Sequence, residues 1–254
     1  MPIVYTLPPP TGNTWYLAYG SNMSTEKFVK QRGIKPLRTV AVEVPLWTLT
    51  MDSAGVPYSE PSYGSISPLK HEKDGQGLMG VAYLLSPENY AKALASEGGG
   101  IAYAEVEVRA CMTSPTTDEH LLSLDTSVGV RTLVTVMRHK ARPSTRYMGL
   151  LRTGADEAEL PPSYQDFLAS IPVYLPPREI IPKIGATVFL IFWLPVMSVA
   201  ERVTRRSLRH SKTGNAPTWV IALVRGIVFT MWLYHDYVHG PLWGRGDGMV
   251  GFTI

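Results

Sequence analysis

The chain is poor in cysteine: Cys111 is the only one in 254 residues. An intramolecular disulfide is therefore impossible, a cysteine-based metal centre is disfavoured, and a reducing compartment suits the chain. Cys111 itself, beside Met112 in an alternating run, reads as a structural thiol rather than a nucleophile. Charge is scarce as well, with 18% charged residues against 45% hydrophobic; soluble domains carry about 25% charge, so an apolar segment is expected somewhere. The formal net charge of +3 is too small to mark a nucleic-acid-binding protein. No basic start precedes a continuous apolar run at the N-terminus, where Pro8-Pro9-Pro10 intervenes, so no secretory signal is expected and the cytoplasm is the expected location. Ser21 has no G-x-S-x-G frame, which disfavours a serine hydrolase, and Gly98-Gly99-Gly100 lacks both the Lys-Ser/Thr of a phosphate loop and the spacing of a dinucleotide fingerprint. Internal repeats are absent, and the only low-complexity stretch is the proline arm.

What the chain does have is organised around Trp15-Tyr16-Leu17-Ala18-Tyr19-Gly20-Ser21-Asn22-Met23. The first half suits a buried strand, and Gly20, Ser21 and Asn22 are turn formers, so reversal is expected over 19–23. Ser24 is placed to cap a helix that carries Glu26 in its first turn and closes at Gly33, which would set the turn's N–H groups beside a helix N-terminus.

Further along, 37–51 reads as a bent strand or two strands with Pro45 between them, and 52–63, rich in Ser, Pro, Gly and Tyr, reads as a loop. Runs 64–69 and 78–85 read as strands joined in a hairpin by the charged tip 71–75. Ser86-Pro87-Glu88 opens a helix expected to reach Ser96, ahead of Glu97 and three glycines. Residues 103–112 alternate Ala104, Val106, Val108 and Ala110 against Glu105, Glu107 and Arg109, as a strand with one wet face does. A further strand is expected at 130–136, and a helix from Leu160-Pro161-Pro162-Ser163 to Ile171, stopped by Pro172. Strands in series with few helices and no βαβ rhythm predict an α+β fold with a mixed or antiparallel sheet. The length suits one good-sized domain and an appendage. The expected division is a flexible arm over 1–14, a catalytic unit over 15–177, and an apolar, basic helical extension over 178–254.

Tyr19-Gly20-Ser21-Asn22-Met23 after an apolar strand resembles the Y-G-S-N loop of the γ-glutamylcyclotransferase family. Gly80-Val81, the Ser86 helix, Glu97-Gly98 and Tyr103 follow in the family's order, and Gly154-Ala155, Leu160-Pro161 and Tyr164 with Leu168 resemble its closing segment. The glycine run shortens the family's Glu-to-Tyr spacing by about a residue, and the 52–63 segment is unlike the family's shorter loops. The resemblance implies a small mixed β-barrel flanked by helices. It implies Glu97 as general acid/base, and Tyr19, Gly20, Ser21, Asn22, Met23 and Tyr103 as substrate-binding residues. By itself Glu97 reads as a solvated helix-end acid; the three glycines after it leave little bulk, which would let a substrate approach.

The implied reaction needs no cofactor and no metal. The α-amine of a γ-glutamyl amide attacks its own γ-carbonyl, giving 5-oxoproline and releasing the acylated amine. The two reacting groups are tethered, so the enzyme must impose near-attack geometry and move protons: one carboxylate takes a proton from the amine and returns one to the leaving nitrogen. Amides of residues 20–22 would hold the α-carboxylate or the developing oxyanion. Glutathione or a glutathione-derived conjugate is the expected substrate, in secondary metabolism if the likeness to longer fungal members serving gliotoxin-type pathways holds. The alternatives are a γ-glutamylamine cyclotransferase and a non-catalytic, membrane-associated γ-glutamyl-binding protein. His235-Asp236 and His239 have the i, i+4 spacing of a helical metal pair but no third ligand in sequence, and read as a polar helix end.

Two apolar runs occupy the C-terminal third, 184–200 without a charge and 219–234 broken by Arg225, with Arg202, Arg205, Arg206, Arg209 and Lys212 between them. A cytosolic catalytic unit followed by one full span would send this basic loop to the far side, against the positive-inside rule. Interfacial or re-entrant helices at the cytosolic face are therefore expected, with a soluble appendage packed on the barrel as the alternative.

Overall fold

The computed structural model of the chain describes residues 7–71, 75–113 and 127–249. Seven strands and six α-helices are assigned among them. Strands β1 (Thr14–Ala18), β2 (Arg38–Val44), β5 (Leu78–Leu85), β6 (Tyr103–Met112) and β7 (Val128–Thr135) close a barrel in the order β1-β5-β2-β6-β7. All pairings are antiparallel except the closing one, where β1 meets β7 in parallel at Tyr16 and Arg131. Strand β5 is buried over nearly its whole length, as the shared neighbour of β1 and β2 must be. At Gly80 a Cβ would lie 2.3 Å from the Ala18 carbonyl oxygen, so only glycine lets these strands approach as they do.

Strand β6 has the expected bounds, and helix α1 (Pro87–Ser96) starts as expected, with the Ser86 hydroxyl accepting from the Asn89 N–H. The 52–63 segment is not a loop. Strands β3 (Trp47–Val56) and β4 (Glu60–Pro68) pair as a long hairpin that reverses at Tyr58, a non-glycine residue held at φ 63°. Small residues let this hairpin pack tightly: a Cβ on Gly55 would sit 1.9 Å from the Glu60 carbonyl oxygen. The expected hairpin of 64–69 with 78–85 is likewise corrected, since β4 pairs with β3 and β5 enters the barrel. The middle of the charged tip, 72–74, lies outside the described residues.

Helix α2 (Thr145–Glu157) buries Tyr147, Met148, Leu151 and Ala155 against the barrel core, and α3 (Pro162–Ser170) follows it. The segment after the 19–23 turn is a short π-helix (Glu26–Gln31) rather than an α-helix, and its expected cap is different. The Ser24 hydroxyl donates to Glu157 Oε1 at 3.2 Å, while Glu157 Oε2 accepts the Thr25 N–H at 3.0 Å. A carboxylate from the end of α2 thus does what Ser24 was expected to do.

The C-terminal third forms an antiparallel pair, α4 (Ile180–Leu208) and α5 (Thr218–Tyr234), continued by a π turn (His235–His239) and α6 (Gly240–Trp243). Its core, including Phe189, Trp193, Val220, Val224 and Met231, is distinct from that of the barrel and packs on Tyr58 and Ile101.

Candidate functional site

Strand β1 delivers the chain to the barrel mouth, where Ser21–Met23 make one 3-10 turn closed by the Met23 N–H on the Gly20 carbonyl at 3.0 Å. The Tyr83 hydroxyl lies 3.1 Å from both the Asn22 and the Met23 carbonyl oxygens and ties the turn to β5. Helix α1 ends at the same place. Its C-cap is Glu97, and Asn22 Nδ2 donates to Glu97 Oε1 at 2.7 Å across 75 positions of sequence. Tyr19, Gly20, Ser21, Asn22, Glu97 and Tyr103 line one cleft together with Tyr16, Gly64 and Tyr147. Met23 is the exception: its side chain is buried in the core, and a Cβ on Gly154 of α2 would come within 2.9 Å of it.

Asn22 is buried, and its amide orientation follows from its neighbour. A carboxylate accepts only, so the NH2 end must face Glu97. That leaves Asn22 Oδ1 as a buried acceptor without a partner among the described residues. Such an atom is costly to bury alone and has acceptor capacity left for a donor.

Several residues that sequence reading did not single out complete the site. The Arg32 guanidinium pairs with Glu97, both side chains being about four-fifths buried. Lys27 Nζ donates to Ser21 Oγ at 2.7 Å; burial and the nearby Arg32 hold its pKa below the usual lysine value, with Glu97 acting the other way. On the far wall the Gly64 peptide is held at both ends: its N–H donates to the Tyr147 hydroxyl and its carbonyl accepts from the Tyr103 hydroxyl, each at 2.9 Å. A Cβ on Gly64 or on Gly20 would press on that Tyr147 oxygen at 3.0 or 3.2 Å, so the two glycines and Tyr147 form one arrangement. Burial pushes the phenols of Tyr16, Tyr19, Tyr103 and Tyr147 well up, and the Glu97 charge adds to this in each case. All four remain protonated at neutral pH, which makes them hydroxyl donors and not bases.

The three glycines after Glu97 do something other than expected. Gly98, Gly99 and Gly100 all have positive φ, at 85°, 57° and 86°, a conformation L side chains resist. They are not among the residues lining the cleft; Gly99 and Gly100 face the C-terminal hairpin. The Ala216 N–H donates to the Gly99 carbonyl at 2.8 Å, and a Cβ on Gly99 would lie 2.6 Å from Leu208 Cδ2. Arg225 of α5 donates from Nε to the Ile101 carbonyl at 2.8 Å and from Nη2 to the Gly100 carbonyl at 2.9 Å. The glycines therefore admit the hairpin rather than a substrate.

His235 and His239 do not converge as a metal pair. His235 Nε2 accepts from the Gly246 N–H at 3.0 Å, so its proton sits on Nδ1 and goes to Asp236 Oδ1 at 2.9 Å; His239 Nε2 lies 2.9 Å from the Gly185 carbonyl. His139, Asp236 and Asp247 have ligand atoms within 4.8 Å of one another. Arg245 reaches both carboxylates, so this cluster already holds a cation, while the His139 ring lies on Trp232 of α5 and the His139 backbone N–H donates to the Asp52 carbonyl of β3.

A closed mixed barrel with a backbone turn and an ion-paired carboxylate at its mouth forms a cleft suited to a small polar ligand. Comparison with known proteins gives this arrangement a family. The chain is 42% identical over 252 residues to the γ-glutamyl cyclotransferase aclK of Aspergillus oryzae, covering 92% of this chain and 90% of the relative. It is 38% identical over 258 residues to the γ-glutamyl cyclotransferase gliK of Aspergillus fumigatus, covering 94% and 91%. A family model described as the AclK C-terminal domain matches residues 179–242. Among solved structures, a γ-glutamyl cyclotransferase superposes with a TM-score of 0.50 at 20% identity, covering 63% of this chain and 89% of that one. A human protein described as uncharacterized superposes with a TM-score of 0.53 at 19% identity, covering 66% and 94%. The chain belongs to the γ-glutamyl cyclotransferase family and is an enzyme of that activity.

Proposed function

We propose that Glu97 is the general acid/base of this enzyme and that the substrate is glutathione or a glutathione-derived γ-glutamyl conjugate, consumed in secondary metabolism. The observation that carries the assignment is the Asn22–Glu97 hydrogen bond, which joins the turn at the end of β1 to the one charged residue among the described residues that line the cleft. The γ-glutamyl head occupies the cleft. Its α-amine approaches Asn22 Oδ1, which accepts one N–H, while Glu97 takes the proton that must leave before the nitrogen attacks the γ-carbonyl. Ser21 and Asn22 open the 3-10 turn, and their N–H groups have no intrahelical partner; with Lys27 and Arg32 at the rim, they receive the α-carboxylate. Glu97 then returns its proton to the departing amide nitrogen, and 5-oxoproline and the free amine leave.

Arg32 has two roles in this scheme. Before substrate arrives it neutralises Glu97. When a cationic amine enters, Arg32 gives up the carboxylate and is left to pair with the substrate's own carboxylate, so the site exchanges one ion pair for two.

The test is direct measurement of 5-oxoproline from glutathione, γ-glutamyl dipeptides and bulky S-conjugates, for the parent enzyme and Glu97→Gln. The amide keeps size and hydrogen-bonding atoms but cannot shuttle a proton, so kcat should fall about 10²-fold or more with little change in KM. Glu97→Asp should fall between, and replacement of Glu105 or Glu107 should do far less. Near-normal turnover by folded Glu97→Gln rejects the assignment. Turnover of γ-glutamylamines alone would select the amine-specific alternative, and binding without turnover of any member would select the non-catalytic one.

A further inference from the structure

The helical hairpin carries a surface that the reaction does not use. Helix α4 and the continuous helical stretch Thr218–Trp243, which α5 opens and α6 closes, are long and apolar enough to cross a membrane, yet only 22% and 33% of their most apolar stretches are buried, so neither is an ordinary core helix. Nor can they span a bilayer as placed, because the domain backs both along their lengths. Leu208 and Phe189 of α4 rest on Gly99 and Tyr58, while Arg225 and the Trp232 indole of α5 bond to backbone carbonyls at 100–101 and at Gly55. The hairpin lies flat, with its remaining faces outward.

Those outward faces are apolar in a patterned way. On α5 the exposed line Trp219, Leu223, Gly226, Phe229 and Leu233 contains no charge. The one charge in that helix, Arg225, is turned inward to the glycine run. On α4 the exposed line Ile184, Val188 and Ile191 continues, after exactly five helical turns, into Arg202, Arg206 and Arg209. With Arg205 and Lys212 these make five exposed cations against the single carboxylate of Glu201. Ile191 is 70% exposed and Phe229 64%, far beyond what scattered surface residues require.

We propose that this outer face of the α4–α5 hairpin docks the enzyme on an anionic lipid surface, the hairpin lying in the interface without crossing it. Apolar side chains enter the boundary between headgroups and acyl chains, and the cations at the α4 end meet lipid phosphates and carboxylates. Trp219, 61% exposed at the start of α5, and Tyr237, 76% exposed beyond its end, are the side chains that favour such a boundary. Charge complementarity chooses this occupant over a second copy, which would bring the same five cations to the interface.

The full chain is co-sedimented with vesicles of phosphatidylcholine alone and of phosphatidylcholine with about 30% phosphatidylserine, an anionic content that generates the required surface potential. Binding is expected to the anionic vesicles and to weaken with salt. Reversal of Arg202, Arg206 and Arg209 to glutamate should lower partitioning about 10²-fold, and Ile191→Glu with Phe229→Glu about tenfold or more, with 5-oxoproline release in solution unchanged. Failure of the parent enzyme to bind anionic vesicles overturns the proposal. So does a parent dimer that the Ile191→Glu, Phe229→Glu pair makes monomeric without any vesicle binding, since a second copy then covers the face. Equal binding to neutral and anionic vesicles overturns the role of the cations.

Discussion

Replacing Arg225 with methionine isolates the link between the hairpin and the Glu97 end of α1. Methionine keeps most of the aliphatic stem, so the packing of α5 is little disturbed; what disappears is the pair of hydrogen bonds to the Gly100 and Ile101 carbonyls, at 2.9 and 2.8 Å. Hydrogen bonds from a charged donor contribute about 1.5–3 kcal/mol each, and these are half-buried, so a net loss on the order of 2–4 kcal/mol is expected. With an m-value of about 2–3 kcal/mol per M urea, the unfolding midpoint should fall by on the order of 1 M at unchanged m. The second consequence is kinetic. Residues 98–100 lead from Glu97 toward β6, and Gly99 and Gly100 are bonded from the hairpin, so loosening them displaces the carboxylate while leaving the Asn22 turn alone. Turnover should drop roughly tenfold in kcat with KM nearly constant, since misplacement of a reacting group is costly even at about 1 Å. Urea titration followed by tryptophan fluorescence and a 5-oxoproline assay on the folded fraction measure both. An unchanged midpoint refutes the brace; a lowered midpoint with normal kcat shows that the brace does not position Glu97.

Three other perturbations follow from the geometry. Asn22→Asp places a second carboxylate where an amide now donates to Glu97 at 2.7 Å, so the pair should hold a proton to higher pH and the acidic limb of the kcat/KM profile should move alkaline; a profile that stays put argues against contact between the two groups in solution. Gly99→Ala combines a φ of 57° with a Cβ only 2.6 Å from Leu208 Cδ2 and 2.8 Å from the Gly214 carbonyl, and should destabilise the protein by about 2–4 kcal/mol in calorimetry or urea titration, whereas Gly149→Ala, with open space around it, should be harmless. Burial holds the pKa values of His139 and His239 below the ordinary 6.5, so at lower pH the unfolded chain binds more protons than the folded one: stability should be flat above about pH 6.5 and fall as pH drops below it. His139→Phe, which keeps a ring against Trp232, should shrink that acid-side loss, and an equal slope in the variant would place the titrating group elsewhere.

Local signals in the sequence were enough wherever one strand or helix end decides its own geometry. Ser86-Pro87-Glu88 marks the start of α1, the alternation from Tyr103 marks β6, and Tyr19-Gly20-Ser21-Asn22 marks the turn at the barrel mouth. They were insufficient where conformation is imposed by a partner distant in sequence. The Ser-, Gly- and Tyr-rich composition of 52–63 resembles a loop, yet those small residues permit a hairpin that the C-terminal helices cover. Helix α2 went unnoticed although Ser144, Tyr147, Leu151 and Ala155 carry a cap and an i, i+4 stripe; the Ser144 hydroxyl accepts from the Tyr147 N–H at 3.0 Å. Arg32 offered no signal at all, because a basic residue ahead of a helix-ending glycine is ordinary. Its pairing with Glu97 depends on the chain returning 65 positions later.

The same dependence decides how the C-terminal third should be regarded. The solved structures that match the fold cover about two thirds of this chain, which would suggest a self-sufficient barrel with a detachable tail. The contacts argue otherwise. Three consecutive residues at positive φ are costly for an unfolded-to-folded transition even when all are glycine, since glycine loses more conformational freedom than any other residue. Here, beside the local bonds of the Gly98 and Gly99 N–H groups to the Ala95 and Leu94 carbonyls, the hairpin adds bonds that help offset the cost: Ala216 to Gly99, and Arg225 to Gly100 and Ile101. At the opposite end of the hairpin Tyr58, held at an unfavourable φ of 63°, is enclosed by Phe189, His235 and His239, and its N–H donates to the Gly246 carbonyl at 2.7 Å. These two places in the barrel domain, the glycine run and Tyr58, thus receive support from residues beyond 180, and one of them adjoins Glu97. A helical layer with this arrangement acts on the placement of the Glu97 carboxylate from behind, while its outer face stays free for another surface.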